Sequence, residues 1–300
     1  MISDDDLIGL DEFALLAENA AQAGVTGALP EVSRVEHGPI SALRWGSDPA
    51  RVVFLHGGAQ NAHTWDTVIL GLGLPALAID LPGHGRSAWR EDGDYGPKLN
   101  ASALAPVVAE LAPDAELTVG MSLGGLTALR LAVAVPALVR NLVLVDVTPS
   151  APERHEQMTQ AQMGTVALAQ GDRIFPSFAA MVDATVAAAP HRSRESLRRG
   201  VFHNSRRLDD GTWTWRYDTF RKGDGFAGLW DDVPALVTPT TLVRGGKSFF
   251  VNDEDAEQFA RTAPGFLRTE VVADSGHSVQ GDQPRALVAI LRSVLDSVGA

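Results

Sequence analysis

The sequence has no cysteine in its 300 residues. That excludes disulfides, thiolate metal ligands and a cysteine nucleophile, and it fits a reducing compartment. No apolar run approaches the roughly 18 residues of a membrane span. The opening residues, MISDDDLIGLDEFALL, are acidic where a secretory leader is basic. A cytoplasmic protein with no membrane partner is therefore expected. Basic charge is also in short supply. The formal net charge of −12 argues against nucleic acid as a partner, because a phosphate backbone calls for a basic face.

With 45% hydrophobic and 21% charged residues, the chain has the composition of a globular protein. Its length suits one large core, or a core with an insertion. Residues 3–24 read as an amphipathic helix, with Ser3 as cap, Asp4, Asp5 and Asp6 in the first turn, and Gly24 at the end. EVSRVEHGPISALRWG (31–46) reads as two strands around Gly38-Pro39. From there, short apolar runs ending in glycine alternate with helical segments. Strands are expected at 51–58, 76–83, 116–121, 141–147, 240–246 and 268–273, and helices at 98–111, 123–134, 253–262 and 282–298. Such alternation means βαβ crossovers: an α/β fold with a mostly parallel central sheet and helices on both faces. Ligands then sit at the carboxyl ends of the strands.

Residues 151–232 interrupt the pattern. They lack its strand–glycine–helix punctuation, and their acidic and basic residues balance, so the net charge resides elsewhere. A mainly helical cap over the strand ends is expected, inserted into a core of residues 1–150 and 233–300. The arginines of HRSRESLRRGVFHNSRR (191–207) read as a solvated helix face, with attraction of an acidic substrate as the alternative. Trp213, Trp215 and Tyr217 alternate along WTWRYD and would share one face of an extended segment.

Three stretches carry chemistry. GMSLG (120–124) matches G-x-S-x-G, with a strand before it and a helix after it. A serine on so tight a turn is exposed. The flanking glycines avoid collision with neighbouring elements, and the helix N-terminus favours developing negative charge. In FLHGGAQNAHTW (54–65), glycine lets the backbone approach an oxyanion. The donors would be the N–H groups of Gly58 and Leu123; His56 reads as a support for the loop. In DSGHSVQGDQP (274–284), His277 occupies a polar loop after the last strand, where a general base would stand. Trp65 and Met121 are candidates for the substrate pocket.

LHGG, AIDLPGHGRS, GMSLGG, LVLVDVTP and SGHS, in this order and spacing, resemble the α/β-hydrolase fold superfamily over nearly the whole chain outside the cap. The resemblance implies a serine–acid–histidine triad on Ser122 and His277. The acid in that family usually follows the strand placed here at 240–244, but RGGKSFF puts Ser248 there. Some members carry it one strand earlier, where Asp146 ends LVLVDV. A carboxylate closing an apolar run needs a partner, and His277 would supply one. Asp253 reads as a helix cap, Asp255 lies too far along that helix, and Asp274 is too close to His277.

The expected reaction is acyl transfer to water, needing neither metal nor organic cofactor. Carboxylic ester hydrolysis of a small or medium molecule comes first. Carbon–carbon bond hydrolysis and cofactor-free dioxygenation remain alternatives within the fold, and a ligand-binding receptor is the non-enzymatic one.

Overall fold

A computed structural model describes residues 7, 9–220 and 224–298. The hairpin of β1 (Val32–His37) and β2 (Ile40–Trp45) turns at Gly38 and Pro39. The next strands are β3 (Val52–Leu55), β4 (Ala76–Ile79), β5 (Leu117–Met121) and β6 (Leu142–Val145). Late in the chain come β10 (Thr240–Gly245) and β11 (Phe266–Val272), and β7 to β9 lie between. Eight of them form one sheet in the order β1-β2-β4-β3-β5-β6-β10-β11. It is parallel from β4 to β11, with β1 and β2 running antiparallel at one edge. From β3 the chain moves out to β4, then returns across β3 to β5. That reversal opens a crevice at the carboxyl ends of β3 and β5.

The inner strands β3 to β6 are buried on both faces, which explains why they read as unbroken apolar runs. Val53 and Leu55 of β3 face a cluster with α3 (Pro97–Leu111), α4 (Leu123–Ala134) and α10 (Asp253–Thr262). Val52 and Phe54 face the other side, against α1 (Leu16–Ala23), α2 (Asp66–Leu72) and α12 (Pro284–Val298). Truncating any one of these buried leucines would cost about 2–5 kcal/mol.

Two expectations change here. The first helix is shorter than 3–24: α1 begins at Leu16, and Gly24 caps it in the left-handed region at φ 76°. Upstream, Glu12 is drawn into hydrogen bonds with Arg34 and His63, which hold the chain in turns. Ser3, Asp4, Asp5 and Asp6 lie outside the described residues.

The segment between β6 and β10 is mainly helical. It holds α5 (Ala151–Gln157), α6 (Gln160–Met163), α7 (Phe178–Ala188), α8 (Arg194–Asn204) and α9 (Leu229–Asp232). A small antiparallel sheet joins them, with β9 (Trp213–Trp215) between β7 (Ile174–Phe175) and β8 (Ser205–Arg207). Strands of two or three residues are too short to leave a periodic signature. Phe175, Phe178, Met181, Trp215 and Tyr217 give this segment its own apolar cluster, to which Leu15 adds from the N-terminal region.

The solvated reading of the arginines is overturned at three positions. The side chains of Arg192, Arg198 and Arg199 are only 18%, 8% and 9% exposed. They turn inward because carboxylates meet them there. Glu18 of α1 pairs with Arg198 and Arg199, and Asp282 of α11 (Val279–Asp282) faces Arg192.

Candidate active site

Ser122 stands between the last residue of β5 and the first of α4, at φ 51° and ψ −120°. Among the described residues, three non-glycine residues have positive φ: Ala59, Ser122 and Asp146. All three follow the carboxyl ends of neighbouring strands. Strain of about 1–3 kcal/mol each, confined to one edge of the sheet, marks a site held by its surroundings. The glycines of the motif are there for space. A Cβ on Gly120 would lie 2.5 Å from the carbonyl oxygen of Gly124, and one on Gly124 would lie 2.3 Å from that of Leu55.

Asp146 directly follows β6, at φ 51°, and is fully buried. Its Oδ2 accepts a hydrogen bond from His277 Nδ1 at 2.8 Å, and its Oδ1 accepts one from the N–H of Gly245 at 2.9 Å. Ser248 Oγ also donates to Oδ2. Three donors thus compensate a charge that would be costly to bury alone. A proton on His277 Nδ1 leaves Nε2 with a free lone pair, and Nε2 is buried without a hydrogen-bond partner. Phe250 stacks on the imidazole, with ring centroids 3.5 Å apart and planes 12° from parallel. These contacts fix the ring's tautomer and its plane.

The loop after β3 forms the opposite wall. A Cβ on Gly57 would lie 2.5 Å from Met121 Sδ and 3.3 Å from Ser122 Cβ, so only glycine fits beside the serine. Gln60 Oε1 accepts from the N–H of Gly57 at 3.1 Å. Gln280 reaches Gln60 from the His277 side. His56 donates from Nδ1 to Gly57 O and accepts the N–H of Leu81 at Nε2. His84 does the same between Pro82 O and the N–H of Ala59. Burial lowers His56 to about 4, and burial with the neighbouring His56 lowers His84 to about 3, so both stay neutral. Gly58 follows Gly57 in the turn of this loop, and Leu123 is the first residue of α4.

The structure brings Ser122, Asp146, Ser248 and His277 to the ends of adjacent strands β5, β6, β10 and β11. Trp65 and Met121 are not pocket residues. Trp65 is fully buried against Phe54 under the sheet, and Met121 is 1% exposed with its sulfur against the Gly57 turn. Asp253 does not cap its helix; Asn252 does, in a capping box with Asp255. Sequence reasoning missed Phe250, which sits in no motif, passed over Gln60 and Gln280 inside the loops that carry Gly58 and His277, and noticed Ser248 only as an absent aspartate.

Two spaces adjoin the site. A cleft of about 640 Å³ is bounded by Ser248, Gly276 and His277 on one side and by Gln162, Val166 and Arg192 on the other. A smaller one, about 140 Å³, runs from Gly58 and Gln60 to Leu168, Leu197, Trp215 and Tyr217. Its lining is apolar toward these last residues and amide-rich toward the loop.

This fold, with a strained serine, a carboxylate-bound histidine and glycine turns on one sheet edge, fits the comparison with known families. Residues 52–290 match the alpha/beta hydrolase family, and the chain belongs to it. It is similar to the esterase Rv0045c of Mycobacterium tuberculosis (strain ATCC 25618 / H37Rv), at 68% identity over 297 residues, 99% of this chain and 100% of the relative. A solved structure of the M. tuberculosis esterase, from work on its transition metal inhibition, is 69% identical with a TM-score of 0.89. It covers 96% of this chain and 99% of that one. The lipase LipV of the same organism is 31% identical over 256 residues, 83% of this chain and 94% of the relative. Among the described residues, no helix is long and apolar enough to cross a membrane.

Proposed function

We propose that the chain is a carboxylic ester hydrolase that works through an acyl-enzyme on Ser122, with His277 as base and Asp146 as acid. The observation that carries this reading is the 2.8 Å contact of His277 Nδ1 with Asp146, which leaves Nε2 as the basic atom. Ser122 Oγ attacks the ester carbonyl while its proton passes to His277 Nε2. The N–H groups of Gly58 and Leu123 hold the oxyanion, in surroundings where such donors act strongly. The intermediate collapses, and His277 returns the proton to the departing alcohol. Water, activated by the same nitrogen, then releases the acid. Asp146 keeps the imidazole in its tautomer and stabilises the imidazolium as it forms.

Residues 151–232 act as a cap on the core of 1–150 and 233–300, and the two adjoining spaces admit a small or medium substrate. The lack of cysteine fits a cytoplasmic enzyme. Transition metal inhibition is described for the M. tuberculosis esterase, and we expect it of this enzyme too.

A chain-length panel of p-nitrophenyl esters tests the reading. Turnover should be highest on short or medium acyl chains, and Ser122→Ala should lower kcat by ~10³-fold or more. A fluorophosphonate should label the wild type at Ser122. Failure of both hydrolysis and labelling in folded protein would leave a binding protein on this fold.

A further inference from the structure

Of the inward-turned arginines, Arg198 and Arg199 are hydrogen-bonded to a carboxylate and Arg192 is not. Glu18 accepts from Arg198 at 2.8 Å and from Arg199 at 3.3 Å. Arg192, just before α8, has Asp282 Oδ1 3.6 Å from its Nε, too long for a hydrogen bond. Asp282 is engaged elsewhere: its Oδ2 accepts the N–H of Gly276 at 2.8 Å, and its Oδ1 lies 3.3 Å from His191 Nε2. Among the described residues, the hydrogen bond of the Arg192 side chain is from Nη2 to Ser196 Oγ at 3.1 Å, and its buried Nε has no hydrogen-bond partner. A guanidinium carries several N–H donors, and one largely withdrawn from water calls for an acceptor.

The chain opposite makes room for this side chain. A Cβ on Gly281 would lie 2.5 Å from Arg192 Nη2, so the guanidinium packs directly on the backbone of α11, close after His277. There Arg192 borders both spaces beside the active site. The two spaces differ in charge. The larger cleft mixes Lys247 with Asp274 and Asp282. The smaller one, which begins at Gly58, has Arg192 and Arg199 and, among the described residues, no carboxylate. Leu168, Leu197, Val201 and Trp215 give it an apolar wall. His277, which returns a proton to the departing alcohol, borders the larger cleft and not the smaller. The alcohol therefore leaves on that side, and the acyl chain lies in the smaller space.

We propose that the acyl part of the substrate ends in a carboxylate bound by Arg192, so that the enzyme hydrolyses half-esters of short dicarboxylic acids. The methylenes lie along the apolar wall, and the distal carboxylate accepts from the guanidinium while the ester carbonyl stays at the Gly58 end. Charge-assisted hydrogen bonds are about twice as strong as neutral ones, and the planar guanidinium matches a carboxylate. Arg192 thus sets specificity at a distance from the reacting carbonyl. This inference rests on the esterase reading and names its substrate class.

The test compares the monoethyl esters of succinic, glutaric and adipic acids with ethyl butanoate, pentanoate and hexanoate, in which a methyl group replaces the carboxylate. Proton release at constant pH gives kcat/KM for the full chain. The wild type should favour at least one half-ester over its neutral partner by about tenfold or more. Arg192→Gln should lower that ratio by about tenfold or more, chiefly through the KM of the half-ester. Gly281→Ala keeps the charge but displaces the guanidinium, and should lower the ratio too, which serves if Arg192→Gln does not fold. The γ-acetoxybutanoate ion, with its carboxylate on the alcohol, should gain nothing over butyl acetate. Turnover of neutral esters with no half-ester preference would overturn the inference and leave the esterase reading standing. So would an undiminished preference in folded Arg192→Gln, or a gain confined to γ-acetoxybutanoate. If no ester turned over, calorimetry would still decide: Ser122→Ala should bind monoethyl glutarate more tightly than Ser122→Ala with Arg192→Gln, and equal affinities would overturn the site.

Discussion

His277 and the pair His56 and His84 are buried histidines at the same edge of one sheet, yet they are wired in opposite ways. In His277, Nδ1 meets a carboxylate and Nε2 has no partner. In His56 and His84, Nδ1 meets a backbone carbonyl and a backbone N–H occupies Nε2. The first arrangement stabilises a ring that gains a proton and leaves a nitrogen to take it. The second uses Nδ1 within the ring's own loop and Nε2 to tie the loop after β3 to the loop after β4, and protonation would break that tie in each. Position at the strand ends does not make a histidine a base; the partner on each nitrogen does.

Asp146→Asn breaks this contrast most sharply. An amide in place of the carboxylate loses the charge and can hold the wrong tautomer, so kcat should fall by ~10³–10⁴-fold with the fold intact by circular dichroism. Asp253→Asn, at an exposed residue paired with Arg244, is the matched control and should stay within about twofold of wild type. A dead Asp253→Asn beside an active Asp146→Asn would reverse the assignment.

Ser248→Ala removes one donor from Asp146 while keeping His277 Nδ1 and the N–H of Gly245. A hydrogen bond to a charged group is worth about 1.5–3 kcal/mol, so we expect about a tenfold loss in kcat and a lower thermal midpoint. Full activity would mean that Phe250 and Gly245 hold the pair unaided.

The smallest effect is on pH. His56 and His84 have folded-state pKa values depressed to about 4 and about 3, against 6.5 when unfolded. The unfolded chain therefore binds more protons below 6.5, so their contribution is intact above that pH and is lost as pH falls toward about 4 and then about 3. Thermal unfolding followed from pH 7 to 4 should show a falling midpoint. His56→Gln should flatten part of that slope; an unchanged slope would remove His56 from this role.

Much of the fold was legible because its signals are local. The short apolar runs mark strands buried on both faces, and helix α4 begins at Leu123 as its motif requires. Gly120 is demanded by contacts within one strand–turn–helix unit, so spacing alone announces it, whereas Gly124 is demanded by Leu55 and His56 at the end of β3. Trp65 shows where locality fails: a large aromatic beside a catalytic loop can face either way, and helix packing turned it under the sheet. Arg198 and Arg199 likewise read as surface until Glu18, far off in sequence, meets them.

The sequence by itself determined the class of fold, the strained serine turn and the polar loop that carries His277, because each depends on neighbours a few residues away. Only the tertiary structure decided which carboxylate meets that histidine. Asp146 and His277 lie 131 residues apart, and their contact depends on β10 pairing between β6 and β11. That order brings the ends of three strands together and makes Ser248, at the place of a missing acid, a donor to the acid next door.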